Sequence, residues 1–520
     1  MPPPMNRTST RWLSPVAELL RRSRDEPGRV ALVAEDRSWS CAQLAAASAR
    51  VAAGLLGRGV GVGDRVALHL YNTSDAVLAL LACLRIGAVA VPMNTQLTTP
   101  ELRDLLNRTR PVLYLGEQDL SARLAAVPED LLPRDARVLA TTPRTTPGGT
   151  SWRHLAGEPL SEWGCREVSV APEAPALLLS TSGSTGTSKI VVWSHRNVAA
   201  LHLSGEGRGI GRADVLPILT PVMHGSGAYH LFTALAQGAV AVLIDPFEPG
   251  AVLDAMHTHR VTTLFGLPFM CSALAREQRA RPRELGTLRS GFVSGDNCPA
   301  EIVSEFAQAF DAPLRSFWAS TEDVGSTIAA TEPGPYLRPI PEARVRVVDT
   351  DGQPAARGAA GEMLISSPTT TPGYWSGPGS YLAMPDGAFH TGDLVRELEP
   401  GLLEYLGRAK DIIVSGGANI SPHEIEQALR SHPCVLDAGA AGLPDPILGQ
   451  RIGALVVLTA EASQPSVHDL TTWLGERLAA WKLPHHLHAI DTIPRNALTK
   501  IDKAAVQRTL TRLASVPERS

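Results

Sequence analysis

A run of small hydroxyl and glycine residues precedes a single lysine in the segment STSGSTGTSK, which extends from Ser180 to Lys189. The backbone N–H groups of such a loop can turn inward to bind an anion, and its hydroxyls add further donors. Because the lysine supplies a positive charge, the segment predicts a polyphosphate-binding loop. Its spacing, Gly183-x-x-Gly186-x-x-Lys189, differs from that of the P-loop. The alternative is a flexible linker, which the flanking apolar runs APALLLS and IVVWSH disfavour because both predict strands.

Other polar residues that could do chemistry also have ordinary structural explanations. Thr321 followed by Glu322 is typical of a helix N-cap with an acid in the first turn. Asp393 after a glycine is typical of a turn. A histidine beside glycine, such as His224, is more often structural, and a lysine in a basic tail, such as Lys500, is usually solvated. These residues therefore need further evidence before a catalytic role is assigned.

The elements that must position these residues alternate between helix and strand through about residue 310. CAQLAAASARVAAGLLGRG predicts a helix and RVALHL a strand, and the same alternation recurs in DAVLALLACLRIG and AVAVP. Strands that are apolar throughout indicate parallel sheets covered on both faces. We therefore expect an α/β protein whose large N-terminal domain contains two doubly wound sheets.

The pattern changes twice after this region. Between about residues 330 and 405 the sequence predicts strands joined by glycine turns, as in a small β-barrel-like unit. After GRAKD it predicts a small α+β unit, with a strand, a Gly-Gly turn, the helix SPHEIEQALRSH and a basic tail. We expect an N-terminal core over residues 1–407 and a mobile C-terminal domain over residues 408–520.

Composition excludes several classes of protein. The chain has 520 residues, enough for three or four domain-sized units, and a net charge of −4, which argues against nucleic acid as a main partner. Its six cysteines form no C-x-x-C pair, which fits a reducing compartment and buried thiols. The longest apolar stretch, Ala76 to Pro92, is too short and interrupted to span a bilayer, and no signal peptide is evident. We expect a cytoplasmic protein without a membrane partner.

Several segments, in their order along the chain, resemble the motifs of the acyl-adenylate-forming superfamily, which includes acyl- and aryl-CoA ligases, nonribosomal adenylation domains and luciferases. They are STSGSTGTSK, PVMHGSG, FWASTED, GEMLISSPTTTPGYW, FHTGDL, GRAKDIIVSGGANISPHEIE and PRNALTKIDK. The resemblance covers nearly the whole chain, and the ordered set is specific although each piece alone is not. It implies ATP-dependent activation of a carboxylic acid to an acyl-AMP, followed by transfer to an acceptor.

The resemblance implies a role for each matched residue in binding ATP and Mg²⁺. The β- and γ-phosphates would be held by the loop residues Thr181, Ser182, Gly183, Ser184, Thr185, Gly186 and Lys189. Thr321 would donate to the α-phosphate and Glu322 would bind Mg²⁺. Trp318 stands where relatives usually have a tyrosine that stacks on adenine, although a core tryptophan is the structural alternative. Asp393 would accept both ribose hydroxyls, and Arg408 would also reach the ribose unless it is a surface arginine.

The two half-reactions would use different parts of the C-terminal domain. Lys500 would bridge the substrate carboxylate and the α-phosphate, while Arg495, Asp502 and Lys503 are interpreted as a solvated tail. Lys410 occupies the position of the hinge, where a rotation would replace Lys500 with the segment SGGAN. Gly416 and Gly417 would then let a pantetheine arm pass close to the backbone, with a simple glycine turn as the alternative.

The predicted acyl pocket departs from the motifs of relatives. VSGDNCP stands where relatives often have Ser-Gly-Gly-Ala-Pro, so Gly295 is followed by Asp296, and Asp323 follows Glu322. Carboxylates near an acyl pocket would disfavour an alkyl chain, since a buried unpaired charge costs several kcal/mol. The hypothesis is a small aromatic acid with an amino or hydroxyl group that Asp296 or Asp323 binds, in a pocket that His224 also lines. The alternative is that either aspartate faces solvent or caps a helix.

The sequence does not identify the acceptor of the acyl group. No carrier domain with a phosphopantetheine serine motif is evident, so CoA is the leading choice, and WKLPHHLH offers a thin basic surface for its phosphates. A separate carrier protein, an amine, or nitrite activation by a diazotase are alternatives. A non-catalytic nucleotide-binding regulator and an ADP-forming ATPase or kinase are the rivals from other classes. Related proteins include monomers and homodimers, and the sequence does not decide between them.

Overall fold

The computed structural model describes residues 14–34, 37–124, 127–140, 168–181, 189–294, 298, 300–325, 327–329, 336–415, 418–459, 465–495 and 501–514. Within these ranges, no helix is both long and apolar enough to cross a membrane.

The α-helices begin and end at residues whose chemistry explains the boundary. At the start of the second helix, Ser40 and Gln43 form a reciprocal capping box, and Gly87 and Gly238 end two later helices in the left-handed region, at φ 70° and 64°. In chain order the helices are α1 (Pro15–Asp25), α2 (Cys41–Gly57), α3 (Ser74–Ile86), α4 (Thr99–Thr109), α5 (His195–Gly207), α6 (Gly225–Gln237), α7 (Pro249–Thr258), α8 (Pro268–Ala280), α9 (Ala300–Phe310), α10 (Pro422–Arg430), α11 (Val467–Gly475) and α12 (Lys503–Ala514).

The β-strands mostly alternate with these helices as far as about residue 316, follow one another without α-helices as far as about residue 420, and are interspersed with helices again after that. They are β1 (Val30–Ala34), β2 (Arg37–Ser40), β3 (Arg65–His69), β4 (Val89–Pro92), β5 (Leu113–Glu117), β6 (Arg137–Ala140), β7 (Pro175–Thr181), β8 (Lys189–Ser194), β9 (Val215–Ile218), β10 (Val240–Leu243), β11 (Thr263–Gly266), β12 (Ser290–Val293), β13 (Leu314–Ser316), β14 (Thr327–Ala329), β15 (Tyr336–Pro339), β16 (Arg344–Val348), β17 (Ala360–Ser366), β18 (Gly373–Gly377), β19 (Ser380–Ala383), β20 (Phe389–Glu399), β21 (Leu402–Arg408), β22 (Ile413–Ser415), β23 (Ala418–Ile420), β24 (Val435–Asp445), β25 (Gly449–Leu458) and β26 (His486–Ala489).

The first sheet has eight strands in the order β19-β18-β8-β7-β4-β3-β5-β6. Strands β3 to β7 pair in parallel, whereas β8, β18 and β19 form an antiparallel edge. The α3 helix that joins β3 to β4 is buried along its whole length. Because both faces of the parallel part are covered, the central residues of its strands are apolar and buried, and the charged residues Arg65, Glu117 and Arg137 stand at strand ends.

The second wound sheet is divided into two parts. A four-stranded part has the order β2-β1-β10-β9, and a parallel three-stranded part has the order β11-β12-β13. Next to β11, the Thr262 N–H donates to the Val215 carbonyl at 3.1 Å, but the Val215 N–H donates to the Thr262 hydroxyl at 3.0 Å. A side-chain hydroxyl thus replaces a backbone carbonyl between β9 and β11, which interrupts the ladder where the sequence predicted one sheet.

The β-rich unit is a six-stranded antiparallel sheet in the order β14-β15-β21-β20-β17-β16. It matches the predicted unit closely, and β21 ends at Arg408. The C-terminal unit is α+β, as predicted, with the strand path β23-β22-β25-β24 and β26 paired to β25. The division at residue 407 and the mobility of this unit stay predictions.

Candidate active site

The predicted phosphate loop connects two antiparallel strands. β7 and β8 pair until Thr181 lies opposite Lys189, and the Thr181 hydroxyl donates to the Lys189 carbonyl at 3.3 Å. The strand–loop–strand arrangement is therefore as predicted. The loop residues Ser182, Gly183, Ser184, Thr185 and Gly186 lie outside the described residues.

Tyr374 connects the lysine of this loop to the predicted magnesium ligand. β18 pairs with β8, which places the Tyr374 ring 4.6 Å from the Lys189 Nζ atom. On its other side, the Tyr374 hydroxyl donates to Glu322 Oε1 at 3.1 Å. Burial, and then the charge of Glu322, raise the pKa of Tyr374, so it stays a neutral donor. The sequence analysis gave Tyr374 no role, although it stands in the motif segment that ends in PGYW.

Glu322 is held from several directions in the loop that follows β13. The Ser320 hydroxyl donates to Glu322 Oε2 at 3.1 Å, and the Thr371 N–H donates to the Glu322 carbonyl at 2.7 Å. The carbonyl of Thr321 accepts from the Trp193 indole at 2.8 Å. No group of three or more potential metal-ligating side chains occurs in the described part of the chain. A single positioned carboxylate fits Mg²⁺, which usually combines one or two carboxylates with substrate phosphates and water.

The structure brings the three predicted nucleoside-binding residues together. Strands β20 and β21 place Asp393 opposite Arg408, and Arg408 Nε lies 2.9 Å from Asp393 Oδ1. The Trp318 indole N–H donates to Asp393 Oδ2 at 2.8 Å, and the Tyr405 hydroxyl donates to Oδ1 at 3.2 Å. Asp393 is fully buried, and the Trp318 ring packs against the core of the β-rich sheet. Tyr405 is a further partner that the sequence analysis missed.

His224 lies beside the reacting end of this array. It is the N-cap of α6, and its Nδ1 atom accepts from the Ser226 N–H at 3.4 Å. The next residue, Gly225, faces the Thr321 side chain, since a Cβ atom at Gly225 would lie 3.6 Å from Thr321 Cγ2. His224 therefore begins its helix close to Thr321, and its place in the acyl pocket stays a prediction.

Asp323 connects two chain segments. It is fully buried, its Oδ2 atom accepts from the hydroxyls of Ser367 and Thr370, and it forms a β-bridge with Thr370. This arrangement is neither the solvent-facing position nor the helix cap considered as alternatives. Asp323 therefore has a structural contact that the sequence did not indicate. Because its Oδ2 atom already accepts from two hydroxyls, the hypothesis that Asp323 binds substrate loses support. Gly295 and Asp296 lie outside the described residues.

The base of the predicted catalytic-lysine loop is well anchored. Arg495 and Ile501 form a β-bridge on either side of residues 496–500, and Arg495 Nη2 lies 2.6 Å from Asp437 Oδ2. Lys503 forms an ion pair with the buried Glu426, and Asp502 accepts from the Ala505 N–H at 2.9 Å as a helix cap. The solvated-tail interpretation is therefore wrong for Lys503, which pairs with a buried carboxylate, and for Asp502, which caps a helix, whereas Arg495 is exposed although it is paired. Lys500 itself lies outside the described residues.

The predicted hinge and glycine turn lie at the start of the C-terminal unit. Lys410 occupies a single 3₁₀ turn, Ala409–Asp411, directly after β21. Strands β22 and β23 pair until Ser415 lies opposite Ala418, so a hairpin replaces the predicted single strand before α10. Gly416 and Gly417, which connect the two strands, lie outside the described residues.

Comparison with known proteins agrees with this site. The AMP-binding enzyme family matches residues 19–375, and the C-terminal domain of AMP-binding enzymes matches residues 424–500. A feruloyl-CoA synthase from Amycolatopsis sp. is 30% identical over 504 residues, covering 94% of this chain and 97% of the relative. An indoleacetate–CoA ligase from Aromatoleum aromaticum is 31% identical over 503 residues, covering 94% and 96%.

Solved structures show the same fold. The crystal structure of ATP-bound MatB from Rhodopseudomonas palustris matches with a TM-score of 0.83 and 26% identity, covering 95% of this chain and 99% of that one. The family match spans well over half of the chain, and the relatives match it almost from end to end. The chain therefore belongs to the AMP-binding enzymes of the acyl-adenylate-forming superfamily.

Proposed function

We propose that this enzyme activates a small aromatic acid bearing an amino or hydroxyl substituent, and then transfers the acyl group to CoA. The observation that carries the proposal is the aromatic cluster directly behind the Thr321 loop. Phe265 stacks on Phe292 with ring centroids 5.2 Å apart, and Phe317 meets Phe265 edge-on at 6.3 Å. These rings are buried in the core beside the loop, and where they border the acyl pocket their flat faces would suit an aryl ring better than a long alkyl chain.

In the first step, a carboxylate oxygen of the acid forms a bond to the α-phosphorus of ATP, and the bond to pyrophosphate breaks. Lys189 and the phosphate loop would hold the leaving phosphates, and Thr321 would donate to the α-phosphate. Glu322 would hold Mg²⁺, which supplies positive charge to the phosphate oxygens when it is bound. Lys500 would bridge the acid and the α-phosphate, so that its charge offsets the negative charge of the transition state.

The residues at the nucleoside end would act by positioning ATP. The Asp393 carboxylate has lone pairs for several donors, so ribose hydroxyls would share or exchange sites with its present partners. In the second step, rotation at Lys410 would replace Lys500 with the hairpin that contains Gly416 and Gly417. The CoA thiol would then bond to the acyl carbon, and AMP would leave. With Asp323 engaged by Ser367 and Thr370, Asp296 is the proposed partner for the amino or hydroxyl group.

A carrier protein is the second proposed acceptor. One relative, from Streptomyces coeruleorubidus, is named as a fatty acid–[acyl-carrier-protein] ligase, and it is 30% identical to this chain over 499 residues. The chemistry of the two acceptors is the same, because both present the thiol of a pantetheine arm.

A panel of acids tests the proposal in two stages. ATP–pyrophosphate exchange is measured with benzoates, aminobenzoates, hydroxybenzoates, cinnamates and fatty acids, with and without Mg²⁺. Products are then identified by mass spectrometry after adding CoA, a holo-carrier protein or an amine. We expect exchange with substituted aromatic acids and an aryl thioester of CoA. Preference for long-chain fatty acids would overturn the proposed substrate class, and an amide or diazo product would overturn the proposed acceptor.

A further inference from the structure

A pair of basic side chains, the half-buried Arg208 and the buried His230, lies behind the Thr321 loop and has no role in the chemistry described so far. Arg208 follows the end of α5, and its guanidinium donates to the Ser204 carbonyl at 3.0 Å and to the Thr327 carbonyl at 2.9 Å. The Arg208 Nε atom and the His230 Nδ1 atom are both buried, and neither has a hydrogen-bond partner among the residues that the structure describes.

The surroundings of the pair are aromatic. The Arg208 guanidinium lies 4.3 Å from the Phe317 ring centroid, and the His230 ring lies 4.6 Å from that of Phe265. Across the described ranges, no carboxylate lies within ion-pair distance of Arg208. A cation over an aromatic ring gains some stabilisation, but a buried donor without an acceptor is costly. The arrangement therefore favours a ligand that supplies the missing acceptor.

The pair lies at a defined distance from the reacting end. His224 begins α6 beside Thr321, and His230 follows six residues later in the same helix. Six residues of helix span about 9 Å. Arg208 rests on Phe317, which precedes the Thr321 loop. An acid that has its carboxylate at His224 and Thr321 and lies along α6 would reach Arg208 and His230 with its far end.

The protonation states restrict what this far end can be. Arginine stays protonated in proteins, so Arg208 Nε–H is only a donor, although burial lowers its pKa. Burial, and then the charge of Arg208, lower the pKa of His230 to about 3, so its ring is neutral at physiological pH. An oxygen substituent can accept from Arg208. The lone pair of an arylamine is conjugated with its ring, so its nitrogen accepts poorly and leaves the Arg208 Nε–H unpaired, even where an amine N–H donates to the neutral His230 ring.

We infer that Arg208 and His230 form a distal specificity site in the acyl pocket, which selects aromatic acids with a hydroxyl or carboxylate oxygen at the end remote from the reacting carboxylate. The inference rests on the proposed function and refines its substrate class, by preferring oxygen over amino substituents. Six helical residues, about 9 Å, separate His224 from His230 along α6. An acid with two carbons between its ring and its carboxylate fits this distance better than an acid whose carboxylate is attached directly to the ring.

Three acids of the same length test the inference: 4-hydroxycinnamate, 4-aminocinnamate and unsubstituted cinnamate. The kcat/KM of ATP–pyrophosphate exchange is measured for the wild type and for the variants His230→Phe and Arg208→Gln. We expect the wild type to prefer the hydroxyl over the amino compound by about tenfold or more, because a buried donor is left unpaired with the wrong substrate. Both variants should bring this ratio close to one.

Arg212→Gln is the matched control, because it removes a nearby arginine that pairs with Glu26 at the surface. It should keep the wild-type ratio. Arg208 also holds backbone carbonyls, so each variant is checked by thermal unfolding, and if Arg208→Gln does not fold, the ratio in His230→Phe decides. His230→Phe keeps an aromatic ring against Phe265 and removes only the polar atoms.

The outcomes separate the inference from the proposed function. Equal wild-type exchange with all three acids, or a preference for the amine, would overturn the distal site and leave aryl activation in place. Folded variants that retain the wild-type ratio would also overturn it. Exchange with no aromatic acid at all would instead overturn the proposed function.

Discussion

The nucleoside end and the acyl end of the site differ in how their buried polar groups are satisfied. At the nucleoside end, Asp393 is bound by Trp318, Tyr405 and Arg408, so its carboxylate is surrounded by donors. At the acyl end, Arg208 Nε and His230 Nδ1 lie among aromatic rings with no partner in the described part of the structure. Both regions contain buried polar atoms. Only the nucleoside end is electrostatically complete, in the sense that its carboxylate has hydrogen-bond and ion-pair partners.

This difference indicates what each end does before substrate binds. Side chains that bind one another are held in place in advance, and preorganised groups lose little entropy when a ligand arrives. Side chains without partners reduce stability until a ligand satisfies them, and a ligand that cannot do so is rejected. We therefore expect the proposed nucleoside end to position ATP and the proposed acyl end to select the acid.

The largest expected effect comes from removing Lys500, the cation proposed to act between the nucleoside end and the acyl end. Replacing Lys500 with Ala should lower the adenylation rate by about 10²- to 10³-fold, because a positioned charge in the transition state is lost. ATP–pyrophosphate exchange measures this, while thioester formation from a preformed adenylate should largely persist. Lys482→Ala, which breaks a pair with Glu424 instead, is the control. Full exchange in Lys500→Ala would disprove the assigned role.

Glu322→Gln tests whether the carboxylate between the two ends holds the metal. The amide oxygen can still accept from Ser320, and the amide nitrogen can donate to the Tyr374 hydroxyl, so the loop should keep its shape while losing its charge. We expect about a tenfold or greater fall in the exchange rate and a higher Mg²⁺ requirement, because an amide binds this hard cation less well. Glu404→Gln, at an ion pair with Arg396, controls for the loss of a carboxylate. An unchanged Mg²⁺ titration would remove Glu322 as a ligand.

Asp393→Asn should weaken the electrostatically complete end. The ion pair with Arg408 is lost, and one carbonyl oxygen must serve the partners of two carboxylate oxygens. We expect the free energy of unfolding to fall by about 1–3 kcal/mol, measured by urea denaturation, because buried donors lose an acceptor. The KM for ATP should also rise. If neither quantity changes, Asp393 does not organise the nucleoside end.

His230→Phe should have the smallest effect on stability, and in the opposite direction. The substitution removes an unpartnered polar atom from an aromatic cluster, so the free energy of unfolding should stay the same or rise by up to about 1 kcal/mol. The same urea measurement compares it directly with Asp393→Asn. A fall of more than about 2 kcal/mol would mean that His230 is satisfied in the fold, and the contrast between the two ends would fail.

The order of helices and strands was predictable because it depends on local patterns. Continuous apolar runs marked the parallel strands, and longer apolar segments such as CAQLAAASARVAAGLLGRG marked the helices between them. The resemblance then placed Trp318, Asp393 and Arg408 in one site, and the structure does bring them together. Motif order carried this information because each motif occupies a fixed place in the fold.

Contacts between distant segments were not predictable in the same way. Tyr374 meets Lys189 and Glu322 only because β18 pairs with β8, and Asp323 meets Thr370 through an isolated bridge. Lys503 was interpreted as solvated because its partner, Glu426, lies on another helix far away in sequence. Composition and spacing describe a residue's neighbours along the chain, whereas a carboxylate's role depends on its neighbours in space.

The sequence by itself determined the family, the phosphate loop and the succession of α/β units, since motifs and hydrophobic periodicity are local properties of the chain. Only the tertiary structure decided which polar side chains are satisfied. Nothing near Arg208 or His230 in the sequence shows that both pack against one aromatic cluster behind Thr321. Burial converts an ordinary polar side chain into a selective one, because an unmade hydrogen bond has a large cost only where water cannot replace it.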